Sequence, residues 1–336
     1  GCCASSNAAF RVEFDNVIQR HCGPGTDIKA ERQAIKKDVN RQEDMIEQLA
    51  LSFSGTKDSV ACPVVDWVLG PEISDPDKHF ELRMRNVSQT YRFIYTDVNY
   101  GSTNDLCEVF LATKGDDNGS NANDIIECVP KKRQTMFPTN NGNNKINPSV
   151  QGRPLPGGAM IVFFFPNGYE DPTCGAIWNI IKGIYSKRFK NGNLPGSYWG
   201  GDKIEDEIRK DLDPEYDFKK WKKGVRSRLG PAGDGAEMKR KKIMGKIPHI
   251  YTAIVTTLPD CQGQKICSRM MRQLNKIADE LQMACYLETG GERHKQIYER
   301  YGYKVVETWS MVSKLDDPTV WPSYDGMYSM VREPEK

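Results

Sequence analysis

The sequence predicts an α/β (α+β) fold, a central sheet with helices packed on its faces. Three observations carry this. From Ile247 onward the order is strand, turn, helix, strand, helix, strand. The first of those helices places Met270, Met271, Leu274, Ile277, Ala278 and Leu281 on one face. Upstream, "AMIVFFF" (Ala159 to Phe165) reads as a buried strand and is far too short to span a bilayer.

Residues 10–26 are mixed in character, with a "CGPG" breaker at Cys22 to Gly25. From Asp27 to about Phe53 the recurrence of Ile28, Ile35, Val39, Ile46 and Leu49 between charges predicts one helix. It packs on its own domain or pairs with a partner helix. Within 60–113, "ACPVVDWVL", "HFELRMR" and "TYRFIYTDV" read as strand-like pieces. Residues 114–158 are rich in Asn, Gly, Asp and Pro and read as a loop-forming insertion. Helices are expected near Cys174 to Phe189 and Lys203 to Leu212.

Lys219 to Lys246 carries eleven positive residues against Asp234 and Glu237. Such a run is a solvated loop face, a patch for an acidic protein, or a patch for anionic lipid, where each basic residue is worth about 1 kcal/mol. Then come "HIYTAIVTTLP" as a strand, the amphipathic helix, "ACYLET" as a strand, and "GGERHKQIYERYG" as a helix closed by Gly302. "YKVVETWSM" and "MYSMVREP" complete the strands.

Composition excludes several classes. The chain has 336 residues, 38% of them hydrophobic and 27% charged, enough for a large core in a soluble protein. A net charge of +2 and the lack of a recognition motif argue against nucleic acid. Ten cysteines without a CxxC pair, beside four histidines, argue against a structural zinc site and for free thiols in a reducing compartment. On that reading the NxS triplets at Asn86 and Asn118 are chance matches.

The chain opens Gly1-Cys2-Cys3-Ala4-Ser5. Behind an initiator Met this is the N-myristoylation pattern at Gly1, with Cys2 and Cys3 as neighbouring palmitoylation targets. Two acyl chains hold a membrane where one does so only marginally. The expectation is a cytoplasmic protein, peripheral on the cytosolic face of a membrane.

Over residues 249–333 the sequence resembles the GCN5-related N-acetyltransferases. The resemblance lies in "LPDCQGQKICSRMMRQLNKIADE", with Pro259 and Gln262 in place, then "CYLETGGERHKQIYERYGYKVVE", with Tyr298 ahead of Gly302-Tyr303. It implies a mixed central sheet splayed beside a cofactor site, with helices on both faces. It also implies a division into residues 1–58, an acylation segment and helix, and 59–336, one such domain carrying the 114–158 insertion and the 219–246 basic stretch.

The cofactor implied is acetyl-CoA. A helix N-terminus offers unpartnered N–H groups and a partial positive charge to a pyrophosphate. The resemblance puts the phosphates on Gln262, Gly263, Gln264, Lys265, Ile266, Cys267 and Ser268, and the pantetheine arm along Val255, Thr256 and Thr257. Lys265 and Cys267 stand where the family has small residues. A helix start needs only ordinary negative φ, so the expected loss at Lys265 is room rather than conformation. Lys265 then either adds a cation beside the phosphates or fills their seat.

The resemblance makes Tyr298 the acid for the departing thiolate. The strand before the loop has no carboxylate between Ile250 and Leu258, which leaves Glu288 and His249 as candidate bases. The acceptor is an amine, on a small molecule or a protein. The competing reading is a catalytically inactive scaffold that kept the fold.

Overall fold

The parallel pair at the centre of the sheet sets the architecture. It was traced in a computed structural model that describes residues 2–22, 25–55, 62–73, 75, 78–91, 107–114, 124–128, 130, 154–169, 218–314 and 322–336. Strand β6 (His249–Thr257) leads through a turn into α7 (Ile266–Glu280), and β7 (Ala284–Gly290) returns parallel to β6. Ahead of this unit lie α1 (Cys2–His21), β1 (Ile28–Ala30), α2 (Arg32–Lys37), α3 (Val39–Ser54), α4 (Pro63–Leu69), α5 (Phe80–Tyr91), β2 (Cys107–Ala112), β3 (Glu127–Cys128), β4 (Leu155–Pro156), β5 (Gly158–Phe165) and α6 (Phe218–Met244). After it come α8 (Glu292–Glu299), β8 (Lys304–Met311) and β9 (Tyr324–Arg332). The seven-stranded sheet runs β1-β2-β5-β6-β7-β9-β8, and every neighbouring pair except β6–β7 is antiparallel. Strands β3 and β4 form a separate two-stranded ribbon.

Alternate residues of the central strands serve opposite faces. Met160, Val162 and Ile250 join the core under α7, while Ile161 and Ile254 join Met45 and Leu49 of α3. On α7, Ile266, Met270, Met271, Leu274, Ile277 and Ala278 are all sealed from solvent. Burying each of the larger ones is worth about 1.5–3 kcal/mol, so this stripe is what fastens the helix. Its first residue sits so low on the sheet that a Cβ at Gly158 would come within 2.3 Å of Ile266 Cγ2.

The C-terminal elements and the "AMIVFFF" strand form where the sequence puts them. The N-terminal half differs from expectation. Residues 10–21 belong to α1, whose Phe14 ring meets Phe164 edge-on at 4.7 Å. The expected Asp27–Phe53 helix is instead β1, α2 and α3. Ile28 pairs with Ala112 at the sheet edge, and Asp38 breaks the helix at φ −118° while its side chain caps the Asn40 N–H at 2.9 Å.

"ACPVVDWVL" and "HFELRMR" are helical, forming α4 and the start of α5. Pro63 in the first turn and Gly70 just past the end frame α4. Arg83, fully buried, donates to Ser54 O and Ile73 O at 2.7 Å each and pairs with Asp66. These tertiary ties join α3, α4 and α5 and override the local strand pattern. "TYRFIYTDV" starts on the end of α5, and its residues from 92 on lie outside the described residues. So do Asn118, most of 114–158 and the helices expected near 174–189 and 203–212. Asn86 is buried on α5 and donates to Leu82 O at 2.7 Å.

The basic stretch is a helix, α6, rather than a loop. Several of its cations are spent within the fold. Arg228 is buried and donates to Val68 O at 3.1 Å, Lys239 pairs with Glu307, and the Arg240 guanidinium lies 4.5 Å from the Phe165 and Tyr251 ring centres. Among the described residues no helix is long and apolar enough to cross a membrane.

Candidate active site

Strands β6 and β7 pair over only three positions, His249–Ala284, Ile250–Cys285 and Tyr251–Tyr286. Beyond Tyr251 they part. Strand β6 continues to Thr257 against β5, and β7 continues to Gly290 against β9. A register shift where Ile161 faces Ile254 and Val162 faces Thr252 takes Ala253 out of the ladder. Ala253 therefore has no ladder partner on either neighbour, at the point where the gap opens.

At the far end of β6 the chain turns through Pro259–Cys261 into α7. No side chain caps this helix and no acidic residue stands in its first turn, so the N–H groups of Ile266, Cys267 and Ser268 are available to an anion. Gln262, Gly263, Gln264 and Lys265 are exposed, and nothing lies within 4 Å of where a Gly263 Cβ would be. Lys265 is exposed and is not buried in the turn. Its backbone corrects the expectation drawn from sequence. Lys265 lies at φ 60°, ψ 16°, in the left-handed region. The position requires what a glycine does freely, so the departure from the family costs conformation, about 1–2 kcal/mol.

The stretch Val255–Thr257 divides between the two faces of the sheet. Thr256 is turned to α3, where its hydroxyl bonds the Gln48 side-chain amide, at 2.9 and 3.0 Å, and Ala159 O at 3.2 Å. Val255 packs on the α7 side. Thr257 Oγ1 is buried without a hydrogen-bond partner, beside the loop. The uncapped helix, the open loop and this orphaned hydroxyl fit a phosphorylated, amide-bearing cofactor.

Glu288 lies in the parted segment of β7, opposite Ser329 of β9. Burial pushes its carboxyl up to about 7, against the hydroxyls of Tyr286 and Tyr251 and the Arg240 cation, which pull it down. Its Oε1 is buried with no hydrogen-bond partner. Tyr286 Oη also lies 3.2 Å from Ser329 Oγ, which accepts from Trp309 Nε1 at 3.1 Å. The result is a carboxylate with one free lone-pair face, held by aromatic groups, at the start of the gap.

Tyr298 is on α8, half-buried against the main core with Cys267. Burial pushes its phenol above the ordinary value, and the Cys267 and Cys62 thiols add to this, so the hydroxyl keeps its proton. Burial likewise pushes the Cys267 thiol up to about 11. His249 is elsewhere. It is fully buried at the closed end of the pair, four residues or about 13 Å of strand below the level of Glu288. Its ring stacks on Phe165 at 4.9 Å and Nδ1 bonds Ile247 O at 2.8 Å, while burial lowers it to about 4. Glu288 lies on the parted segment of β7, Tyr298 lies near Cys267 in the first turn of α7, and His249 lies at the closed end of the pair. Gly1 lies outside the described residues, and Cys2 and Cys3 open α1.

Reading the sequence did not single out Tyr251, Tyr286, Arg240 or the Ala253 bulge. The two tyrosines stand directly opposite each other in register, a relation visible only once the strands pair. Among the described residues no group of His, Cys, Asp and Glu could hold a metal ion.

No protein-family model and no curated protein sequence matches the chain. Solved structures do. A Corynebacterium glutamicum protein described as histone acetyltransferase HPA2 and related acetyltransferase is 11% identical over 94% of this chain and 98% of that one, with a TM-score of 0.37. Chaetomium thermophilum Naa20, in complex with a bisubstrate analogue, is 24% identical over 26% of this chain and 47% of its own, with a TM-score of 0.21. An agmatine N-acetyltransferase mutant in its apo form is 12% identical over 91% and 99%, with a TM-score of 0.36. In its mixed sheet with a parted central pair, its loop ahead of α7, and its Tyr298-to-Gly302 step, the chain resembles the GCN5-related N-acetyltransferases.

Proposed function

We propose that the chain is an acetyl-CoA-dependent N-acyltransferase in which an amine acceptor attacks the thioester directly. The observation that carries this is Glu288, a carboxylate raised to about 7 with a buried, unpartnered oxygen, at the start of the gap between β6 and β7. A base of that strength accepts a proton from an ammonium group near neutral pH.

Bound in the gap, acetyl-CoA supplies an acyl group activated as a thioester. The N–H groups of Ile266, Cys267 and Ser268 would hold its phosphates, with Lys265 adding a cation. The backbone of Val255 to Thr257 would take the arm. Ala253, without a ladder partner, is the backbone donor suited to a carbonyl oxygen gaining charge. Glu288 would take the proton of the amine, and the Tyr298 hydroxyl would supply the proton the leaving sulfur needs.

The acceptor is an amine on a small molecule or a protein. Tethering to a membrane through acylated Gly1, Cys2 and Cys3, aided by cations of α6, remains part of the proposal on sequence grounds. Intact-mass measurement of the native protein tests it, and unmodified mass removes the tether.

The main test is ligand linkage. Acetyl-CoA at about a hundredfold excess over its Kd adds about 2.7 kcal/mol to stability and raises the thermal midpoint. No shift at millimolar acetyl-CoA would favour the scaffold reading instead.

A further inference from the structure

Cys128 and Cys261 lie side by side beneath the cofactor loop. Cys261 closes the single turn Pro259–Cys261, immediately before Gln262. Cys128 is on the β3–β4 ribbon, paired with Leu155. Backbone bonds hold ribbon and turn together. Gly157 N–H donates to Ile126 O at 2.6 Å, and Leu258 N–H donates to Gly157 O at 2.9 Å. A Cβ at Gly157 would lie 3.3 Å from Cys261 Sγ and 2.9 Å from Ile126 Cγ2. Burial, and then the neighbouring Cys128 thiol, push the Cys261 thiol up to about 12. Cys261 is buried, and Cys128 is partly open to solvent.

We propose that Cys128 and Cys261 form a peroxide-responsive dithiol site, and that the disulfide they make fixes the Gln262–Lys265 loop. The two thiols differ as such a site requires. The accessible Cys128 meets the oxidant, and the buried neighbour Cys261 resolves it. Hydrogen peroxide transfers oxygen to the Cys128 sulfur. An S–O bond forms, the O–O bond breaks and one water leaves, giving a sulfenic acid. The Cys261 sulfur then attacks that sulfur, and its proton departs with the hydroxyl as a second water. Two thiols are oxidised by two electrons in all, and the peroxide is reduced to water. A small thiol reverses the bond by exchange. The ribbon is outside the main sheet, so the approach needed to reach disulfide geometry falls on a short element.

The bearing of this site on catalysis rests on the cofactor reading above, whereas the disulfide and the stiffened loop do not. The test treats the full chain with hydrogen peroxide at neutral pH, then maps peptides without reductant. The expected result is a Cys128–Cys261 linked peptide that dithiothreitol abolishes and that is missing in Cys128→Ser. Amide hydrogen exchange over residues 262–269 should slow several-fold on oxidation of the wild type and stay unchanged in Cys128→Ser. Absence of the linked peptide under conditions that oxidise other thiols overturns the proposal. So does a linked peptide with unchanged exchange in the loop. Failure of the reduced chain to bind acetyl-CoA overturns the cofactor reading alone.

Discussion

Tyr298 and Tyr303 meet edge to face across the end of α8, with ring centroids 6.1 Å apart at 60°. The Tyr303 N–H reaches back to Tyr298 O and the Gly302 N–H to Glu299 O, with Gly302 at φ 88°. This is a Schellman closure with its accompanying ring contact. Tyr298 therefore ends the helix with its ring and offers its hydroxyl separately. Tyr298→Phe keeps the ring, so the thermal midpoint should hold while kcat falls by about 10²–10⁴ with KM little changed. Tyr298→Ala should lower both midpoint and kcat. Full activity in Tyr298→Phe would leave the residue a purely structural role.

Glu288 couples activity to stability with opposite signs. Its folded-state value, about 7, is above the ordinary 4.5. The folded protein therefore binds its proton more tightly than the unfolded chain does. The stability this gives is fully present below pH 4.5 and is lost as pH rises through about 7, a swing on the order of 3 kcal/mol at most. Glu288→Gln, neutral at every pH, should be more stable than wild type at pH 8 and equal to it near pH 4.5. Its kcat/KM should lose the rise through pH 7 that a free carboxylate base gives. Urea midpoints at the two pH values, with a rate profile, check both signs. A destabilised Glu288→Gln at pH 8 would show a structural carboxylate.

The legible part of this fold is the part with local signals. A period of 3.6 with a wide apolar stripe marks α7, and Gly302 marks the stop of α8. The segments of α4 and α5 carry strand-like patterns because short apolar runs do not distinguish a strand from a buried helix. The buried Arg83, with partners on α4, on the last residue of α3 and beyond the end of α4, decides that matter, and no local window contains it. The site shows the same division. The loop adjoins the helix start in sequence, and Tyr298 stands just ahead of the Gly302 stop, so each carries a local signal. Tyr251 beside Tyr286, and Arg240 beside Tyr251, exist only through strand register and the packing of α6. The sequence favours Glu288 only slightly over His249, and strand pairing separates them, one on the parted segment of β7 and the other at the closed end of the pair.

His249 carries a stability signal of its own. Burial holds it neutral at about 4, below the ordinary 6.5. The unfolded chain binds the proton first as pH falls. The contribution is fully present above pH 6.5 and is lost as pH falls through about 4, a swing of about 3 kcal/mol. His249→Phe keeps a ring on Phe165 and should flatten the fall in urea midpoint between pH 6.5 and 4. An unchanged slope would place the acid sensitivity elsewhere.

Lys265 gives the sharpest test of the loop, because its strain and its charge can be separated. Lys265→Gly removes the left-handed penalty but frees the unfolded chain, for a net gain of about 1 kcal/mol. Lys265→Ala removes the charge and keeps the strain, so it should be less stable than Lys265→Gly. Both variants lose the cation beside the phosphates. Acetyl-CoA affinity should fall several-fold in both at low ionic strength, with the difference from wild type shrinking as salt rises. Calorimetric titration at two salt concentrations checks this. Were the Lys265 stem instead to fill the phosphate seat, both variants would bind acetyl-CoA more tightly than wild type. The sign of one affinity change therefore tells whether the exposed lysine holds the ligand or excludes it.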